Sequence, residues 1–310
     1  MKYRQIPNTD LQVSTIALGC YRLYKKTQDE AQEIIQTAID QGINFFDNAD
    51  VYGAGKSEEY LGIFIKNHPE LRKQMIIQTK CDITPGGCPG KTYDTSKEYI
   101  FQCVEKALKR LNTDYLDILL LHRPDAIMDP MEVAETFEEL HQKGLVRYFG
   151  VSNHTSLQIE VLQKYLDLPI IVNQIELSLV HTCALDSRIF TNDFNEYAIV
   201  RDSQILDYCM LKDITIQAWS PMLASWTEGT FLDNERYPKL NKMLEDKAKK
   251  YNVKKNAIAI AWILRHPYHI QPIVGTMSPT HLKEICQATN IDLTRQDWYD
   301  LYLSEEKPLP

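Results

Sequence analysis

Short runs of aliphatic and β-branched residues recur along the chain, and almost every one is followed by a stretch whose apolar positions repeat at helical spacing. The run at 14–19 precedes a helical pattern at 30–41, in which Ala31, Ile34, Ile35 and Ala38 share a face and Gly42 marks the stop. The same alternation pairs 43–46 with 57–66, 75–79 with 96–111, 116–121 with 130–142, and 146–151 with 157–165. It continues with 170–173 and 204–211, then 214–218 with 240–250 and 257–265, and ends with 271–274 and a helix opening near Thr280. Runs this short and this rich in β-branched residues predict strands covered on both faces. Eight of them, each separated from the next by helix, predict an α/β fold: a single-domain eight-stranded parallel β/α barrel of the TIM type over residues 1–310. Segments 2–5 and 11–13, joined by Pro7, Asn8, Thr9 and Asp10, predict an N-terminal β-hairpin that floors the barrel.

A doubly wound sheet would give the same alternation, but the first strand-to-helix turn, GCYRLYKK, lacks the Gly-rich dinucleotide fingerprint. Three connections are long: 82–95, 176–202 and 221–238. Each follows a strand, so all three are expected on the face where the strands' carboxyl ends meet, as pocket walls or a lid.

Composition narrows the function class. The 310 residues carry a net charge of -8 with no lysine/arginine block able to follow a phosphate backbone, which excludes nucleic acid as the expected partner. Seven scattered cysteines, an odd number, fit reduced thiols. Cys81 and Cys88 lack a second close pair, so no metal site is expected there. The N-terminal MKYRQIPNTD holds no apolar signal segment and no run is long enough to cross a bilayer, so a soluble cytoplasmic protein with no membrane partner is expected.

The chemistry collects at strand ends. Asp47 closes the run at 43–46, and Tyr52 follows in the loop DNADVYGAG; Lys80 ends the third run and His122 the fourth. A phenol can give a proton, a neighbouring ammonium is expected to lower its pKa, an aspartate can hold that ammonium, and an imidazole can hydrogen-bond a carbonyl oxygen. Such a group protonates an oxygen that is gaining negative charge, and needs a hydride from elsewhere. Ser152, Asn153 and Gln174 at neighbouring strand ends suit a planar carboxamide, and Trp219 offers a flat face for stacking. Ser152 and Asn153 also read as a cap for the next helix. After the last strand, IVGTMSPTH places Gly275, Thr276 and His281 around a Ser278-Pro279 helix start, an anion-binding arrangement. Tyr21 and Leu23, and His181 and Cys183 in the second long loop, are further pocket candidates.

FDNADVYG, IIQTKCD, DILLLHRPD, GVSN, NQIELS, AWSPM and PIVGT occur in this order along nearly the whole chain. With them the chain resembles the aldo-keto reductases, and looks more like their bacterial-type NADP-dependent oxidoreductases than the steroid-type enzymes. That resemblance implies reversible reduction of a small-molecule aldehyde or ketone by NADPH lying extended across the barrel, with the pro-R hydrogen transferred. It implies Tyr52 as general acid, Lys80 and Asp47 as its tuning pair, and His122 as the carbonyl orienter. It also implies cofactor contacts at Ser152, Asn153, Gln174, Trp219, Ser220, Pro221, Met222, Gly275, Thr276 and His281. Two features depart from the family pattern. The basic pair that usually grips the 2'-phosphate is replaced by Met277 and His281, with Lys283 the nearest cation, which opens the site to NADH as well. Asn48 stands where a small hydroxyl is common, and should alter hydrogen bonding around Asp47. A cofactor-binding redox sensor with little turnover is the alternative reading, and no sequence feature selects an oligomeric state.

Overall fold

The computed structural model describes residues 1–87, 90–201, 203–305, 307 and 309, without the side chains of 85–87, 90 and 91. Cys88, Pro89 and Asp202, which lie in the first and second long connections, and Glu306, Pro308 and Pro310 of the tail lie outside the described residues.

Chain order runs β1 (Tyr3–Gln5), β2 (Gln12–Ser14), β3 (Ala17–Gly19), α1 (Gln28–Asp40), β4 (Phe45–Asp47), α2 (Lys56–Asn67), β5 (Ile76–Cys81), β6 (Ile83–Gly87), β7 (Gly90–Tyr93) and α3 (Lys97–Leu111). It continues with β8 (Leu116–Leu121), α4 (Pro130–Gln142), β9 (Val146–Ser152), α5 (Ser156–Gln163), β10 (Ile170–Glu176), α6 (Cys183–Ile189), α7 (Ile205–Leu211) and β11 (Thr215–Trp219). The last part holds β12 (Leu223–Ser225), β13 (Gly229–Thr230), α8 (Pro238–Tyr251), α9 (Lys255–Leu264), β14 (Gln271–Val274), α10 (Pro279–Cys286) and α11 (Arg295–Tyr302).

Strands β3, β4, β5, β8, β9, β10, β11 and β14 close into an eight-stranded barrel whose pairs are all parallel. The expected barrel is therefore present, as is the hairpin: β1 pairs antiparallel with β2. Ile6, Leu11 and Val13 of the hairpin join Ala17, Phe45, Ile76 and Ile118 in one buried cluster, so the hairpin plugs the barrel's floor. A second and larger cluster lies between barrel and helices.

Side chains of a strand alternate between its two faces, and that alternation decides what reaches the mouth. Phe45 and Ile76 face the interior cluster, which puts Asp47, Gln78 and Lys80 on the same side. Ile118 and Leu120 do the same for His122, the next residue in that series after β8 ends. The barrel narrows at Gly150, where a Cβ would sit 2.6 Å from Leu120 Cδ2 and 2.7 Å from the Val172 carbonyl oxygen.

The long connections differ from a plain loop reading. The first forms the β6-β7 hairpin and the third the β12-β13 hairpin. The second carries α6, and its Asp186 accepts a hydrogen bond from the Tyr302 hydroxyl at 2.6 Å, tying it to α11. No helix among the described residues is long and apolar enough to cross a membrane.

Candidate active site

A buried ammonium organises the barrel mouth. Lys80, 1% exposed, donates from Nζ to both Asp47 oxygens at 2.7 and 2.9 Å, to the Asn48 carbonyl at 2.7 Å and to the Tyr52 hydroxyl at 3.2 Å. Because Tyr52 accepts from Lys80, its own O–H is left to point at a ligand. Burial pulls the Lys80 pKa down, but Asp47 and Tyr52 outweigh it and the net direction is up. For Tyr52 the balance reverses the sequence expectation. Loss of solvent pushes the phenol up to about 12, and the lowering by Lys80 does not overcome it. The phenol is thus a firmly protonated donor. The His122 ring stands edge-on to Tyr52 with centroids 6.0 Å apart, and Tyr21 packs edge-on to it at 5.0 Å.

Beneath these groups runs a chain of glutamines that sequence reading did not find. Gln78 and Gln174 each donate to Asp47 Oδ1, at 2.6 and 2.9 Å, and each also donates to Gln217 Oε1. Gln217 donates to Gln271 at 2.9 Å, and Gln271 to the Ser14 carbonyl at 2.7 Å. The relay supplies the Asp47 carboxylate with amide donors in addition to its cation, as a buried charge requires. Its signal was present: Gln78 and Gln217 are amides in the middle of short strands, each directly after an isoleucine, and both are fully buried. Asn48 does not bond Asp47 through its side chain; its Oδ1 accepts from the Ala49 N–H at 3.1 Å.

The remaining candidates line one groove. A cavity of about 1430 Å³ runs from Tyr52, Asp47 and His122 past Ser152, Asn153, Gln174, Trp219, Ser220, Pro221 and Met222 to Gly275, Thr276 and His281. Lys80 lies behind this wall. The Trp219 indole N–H donates to Asn153 Oδ1 at 3.1 Å, and Asn153 donates to Ser152 Oγ at 2.9 Å, so these three side chains hold one another and fix the plane of the indole. The Gln174 amide nitrogen faces the Asp47 relay, which leaves only its oxygen for a ligand. Ser152 and Asn153 do not cap the next helix, because Thr155 does so with a capping box to Gln158. At the far end Ser278 Oγ accepts from the His281 N–H at 3.3 Å, capping α10.

Other expectations divide. Tyr21 lines the cavity, whereas Leu23 is fully buried in the core between helices and barrel. His181 stands 3.9 Å from Glu176, and neither it nor Cys183 lines the groove. Among the described residues, the second long loop therefore contributes no wall, while the first gives Ile83 and Tyr93 and the third Trp226, Thr230, Leu232 and Asp233.

Cations missed in the sequence also reach the groove. Arg22 donates to the Gly275 carbonyl at 3.2 Å, and a Cβ on Gly275 would come within 3.1 Å of that guanidinium. Lys249, Lys254 and Lys255 line the end near His281. Lys249 pairs with Glu245 and Lys255 with Asp233, whereas the Lys254 side chain makes no ion pair or hydrogen bond among the described residues. A long groove with a flat indole at one end and cations at the other, narrowed where a glycine permits close approach, fits an extended dinucleotide.

A sequence profile of the Aldo/keto reductase family matches residues 15–302. The chain is 34% identical to the uncharacterized oxidoreductase YcsN of Bacillus subtilis, covering 94% of each. It is 32% identical to the 6-dehydroglucose reductase of Novosphingobium aromaticivorans, covering 96% of this chain and 93% of that protein. Among solved structures, the thermostable aldo-keto reductase Tm1743 in complex with the inhibitor epalrestat superposes with a TM-score of 0.80 at 26% identity, over 98% of this chain and 100% of that one. The chain, an oxidoreductase, belongs to the Aldo/keto reductase family.

Proposed function

We propose that this protein, acting through residues 1–310 as one catalytic unit, reduces an aldehyde or ketone to the alcohol with NADPH as donor. The single observation that carries the reading is the Asp47-Lys80-Tyr52 chain of hydrogen bonds, which ends on a protonated phenol at the cavity wall. A reduced nicotinamide, when bound, supplies the hydride. Trp219 gives its ring a face to stack on, and Ser152, Asn153 and the Gln174 oxygen stand beside that face to receive a carboxamide. His122 and Tyr52 hold the substrate's carbonyl oxygen between them, so the oxygen that gains charge is met by a donor already in place. Tyr52 passes its proton to that oxygen, and Lys80, anchored by Asp47, stabilises the phenolate left behind. Alcohol oxidation uses the same groups in reverse.

Preference for NADPH over NADH is the finer part of the proposal. Lys254, whose ammonium has no partner among the described residues, and His281 flank the end of the groove where a 2'-phosphate would lie. Titration of the protein with NADPH and NADH, followed by nicotinamide fluorescence, and then with a panel of aldehydes and ketones, tests both parts. Tyr52→Phe should lower kcat by about 10²- to 10⁴-fold without weakening cofactor binding. Lys254→Ala should weaken NADPH and leave NADH unchanged. Tight binding with no consumption in the unaltered protein would sink the reductase reading in favour of a sensor.

A further inference from the structure

Arg123, the residue after His122, is not used by the chemistry above, yet its side chain lines the same cavity. Its guanidinium lies 5.6 Å from the centre of the Trp219 ring. Among the described residues it has neither an ion pair nor a side-chain hydrogen bond. Glu176 is the acid that feels its charge; burial holds that carboxyl up, and its ion-pair neighbour is His181 at 3.9 Å. The residue is nonetheless firmly placed, because its backbone N–H donates to Asp82 Oδ2 at 3.1 Å and Asp82 is fully buried.

A guanidinium is charged at all working pH values and offers five donors in a planar fork matched to carboxylate or phosphate oxygens. Here that fork is partly withdrawn from water against an aromatic face, with its donors unspent. We propose that Arg123 is a substrate-specificity residue that binds an anionic oxygen group, carboxylate or phosphate, carried by the carbonyl compound itself. The proposal rests on the carbonyl-reducing reading, since the adjacent His122 and Arg123 then hold two parts of one molecule. Tyr21 and Trp226, whose rings meet edge-on at 5.7 Å, give its uncharged portion an aromatic wall.

The test uses matched pairs: 4-formylbenzoate against methyl 4-formylbenzoate, and glyceraldehyde 3-phosphate against glyceraldehyde. The unaltered protein should favour the anionic member of at least one pair, and the pair that responds tells carboxylate from phosphate. Arg123→Gln should raise KM for that member by about 10- to 100-fold, the range of a charge-assisted hydrogen bond, and leave the neutral member nearly unchanged. Arg123→Lys should recover part of the loss. Equal kcat/KM within both pairs for the unaltered protein, or an equal loss for anionic and neutral members in Arg123→Gln, overturns the proposal. So does a weakening of NADPH binding in that variant, which would assign the cation to the cofactor. If no aldehyde is reduced, the reductase reading fails separately. Calorimetric binding of 4-(hydroxymethyl)benzoate and its methyl ester then decides Arg123: preference for the acid that vanishes in Arg123→Gln supports the proposal, and no preference overturns it.

Discussion

Replacing Lys80 by methionine keeps the length of the side chain and removes its charge. The ammonium it deletes is 1% exposed and makes four contacts, two of them to Asp47 at 2.7 and 2.9 Å. Asp47 would be left with the amides of Gln78 and Gln174, and the buried Asn48 carbonyl would lose its donor. Stranding one member of a buried ion pair costs about 3–5 kcal/mol, and the orphaned carbonyl adds about 1 kcal/mol. At roughly 2 °C per kcal/mol for a chain of this size, the midpoint of thermal unfolding should fall by about 8–12 °C. The double variant Asp47→Asn with Lys80→Met removes both charges, and should recover about half of that loss because no uncompensated charge remains. Circular dichroism melts and urea titrations of the two single variants and the double variant form a complete cycle. A Lys80→Met protein within about 1 kcal/mol of the original, or a double variant as unstable as the two losses summed, would refute the view that this pair is a coupled buried unit.

Gly150→Ala forces a methyl group against the Val172 carbonyl oxygen at 2.7 Å and Leu120 Cδ2 at 2.6 Å; backbone in a closed barrel cannot withdraw, so a loss of about 1–3 kcal/mol is expected in urea titration. Asp82 gives a pH-dependent prediction, because burial raises its carboxyl to about 8. The folded protein then holds a proton that the unfolded chain, with an aspartate near about 3.9, has released, so on this account stability falls as pH rises between about 4 and 8. Asp82→Asn, which keeps an acceptor for the Arg123 N–H, should match the original near about pH 4 and exceed it by on the order of a few kcal/mol near about pH 8. A variant whose advantage does not grow with pH would show that Asp82 is ionised in the folded state.

What could be read from the chain, and what could not, follows from which physical signals are local. The barrel strands were legible because a strand buried on both faces must be largely apolar, as Leu116–Leu121 is apart from Asp117, which pairs with Arg72 at 3.0 Å. The β6-β7 and β12-β13 hairpins were not, since Pro85, Gly86 and Gly87 in one and Glu228-Gly229 in the other read as turns without strands. Helix α11 was not legible either, although Thr294 and Asp297 form a capping box there; its short apolar face is completed by a distant partner, Trp262, which stacks on Trp298 with ring centroids 5.1 Å apart. At the site, Asp47, Tyr52, Lys80 and His122 stood out because each interrupts or follows an apolar run. Gln78 and Gln217 interrupt strands just as visibly and Gln271 opens one, but an isolated glutamine names no chemistry until its partner is known. The direction of the Tyr52 shift was misread for the same reason: the sequence supplies the neighbouring ammonium, whereas the loss of solvent that outweighs it is a property of the closed barrel. Charge can be inferred from residue types and spacing, but desolvation has to be measured from the surroundings, and it is desolvation that keeps the Tyr52 proton in place for transfer.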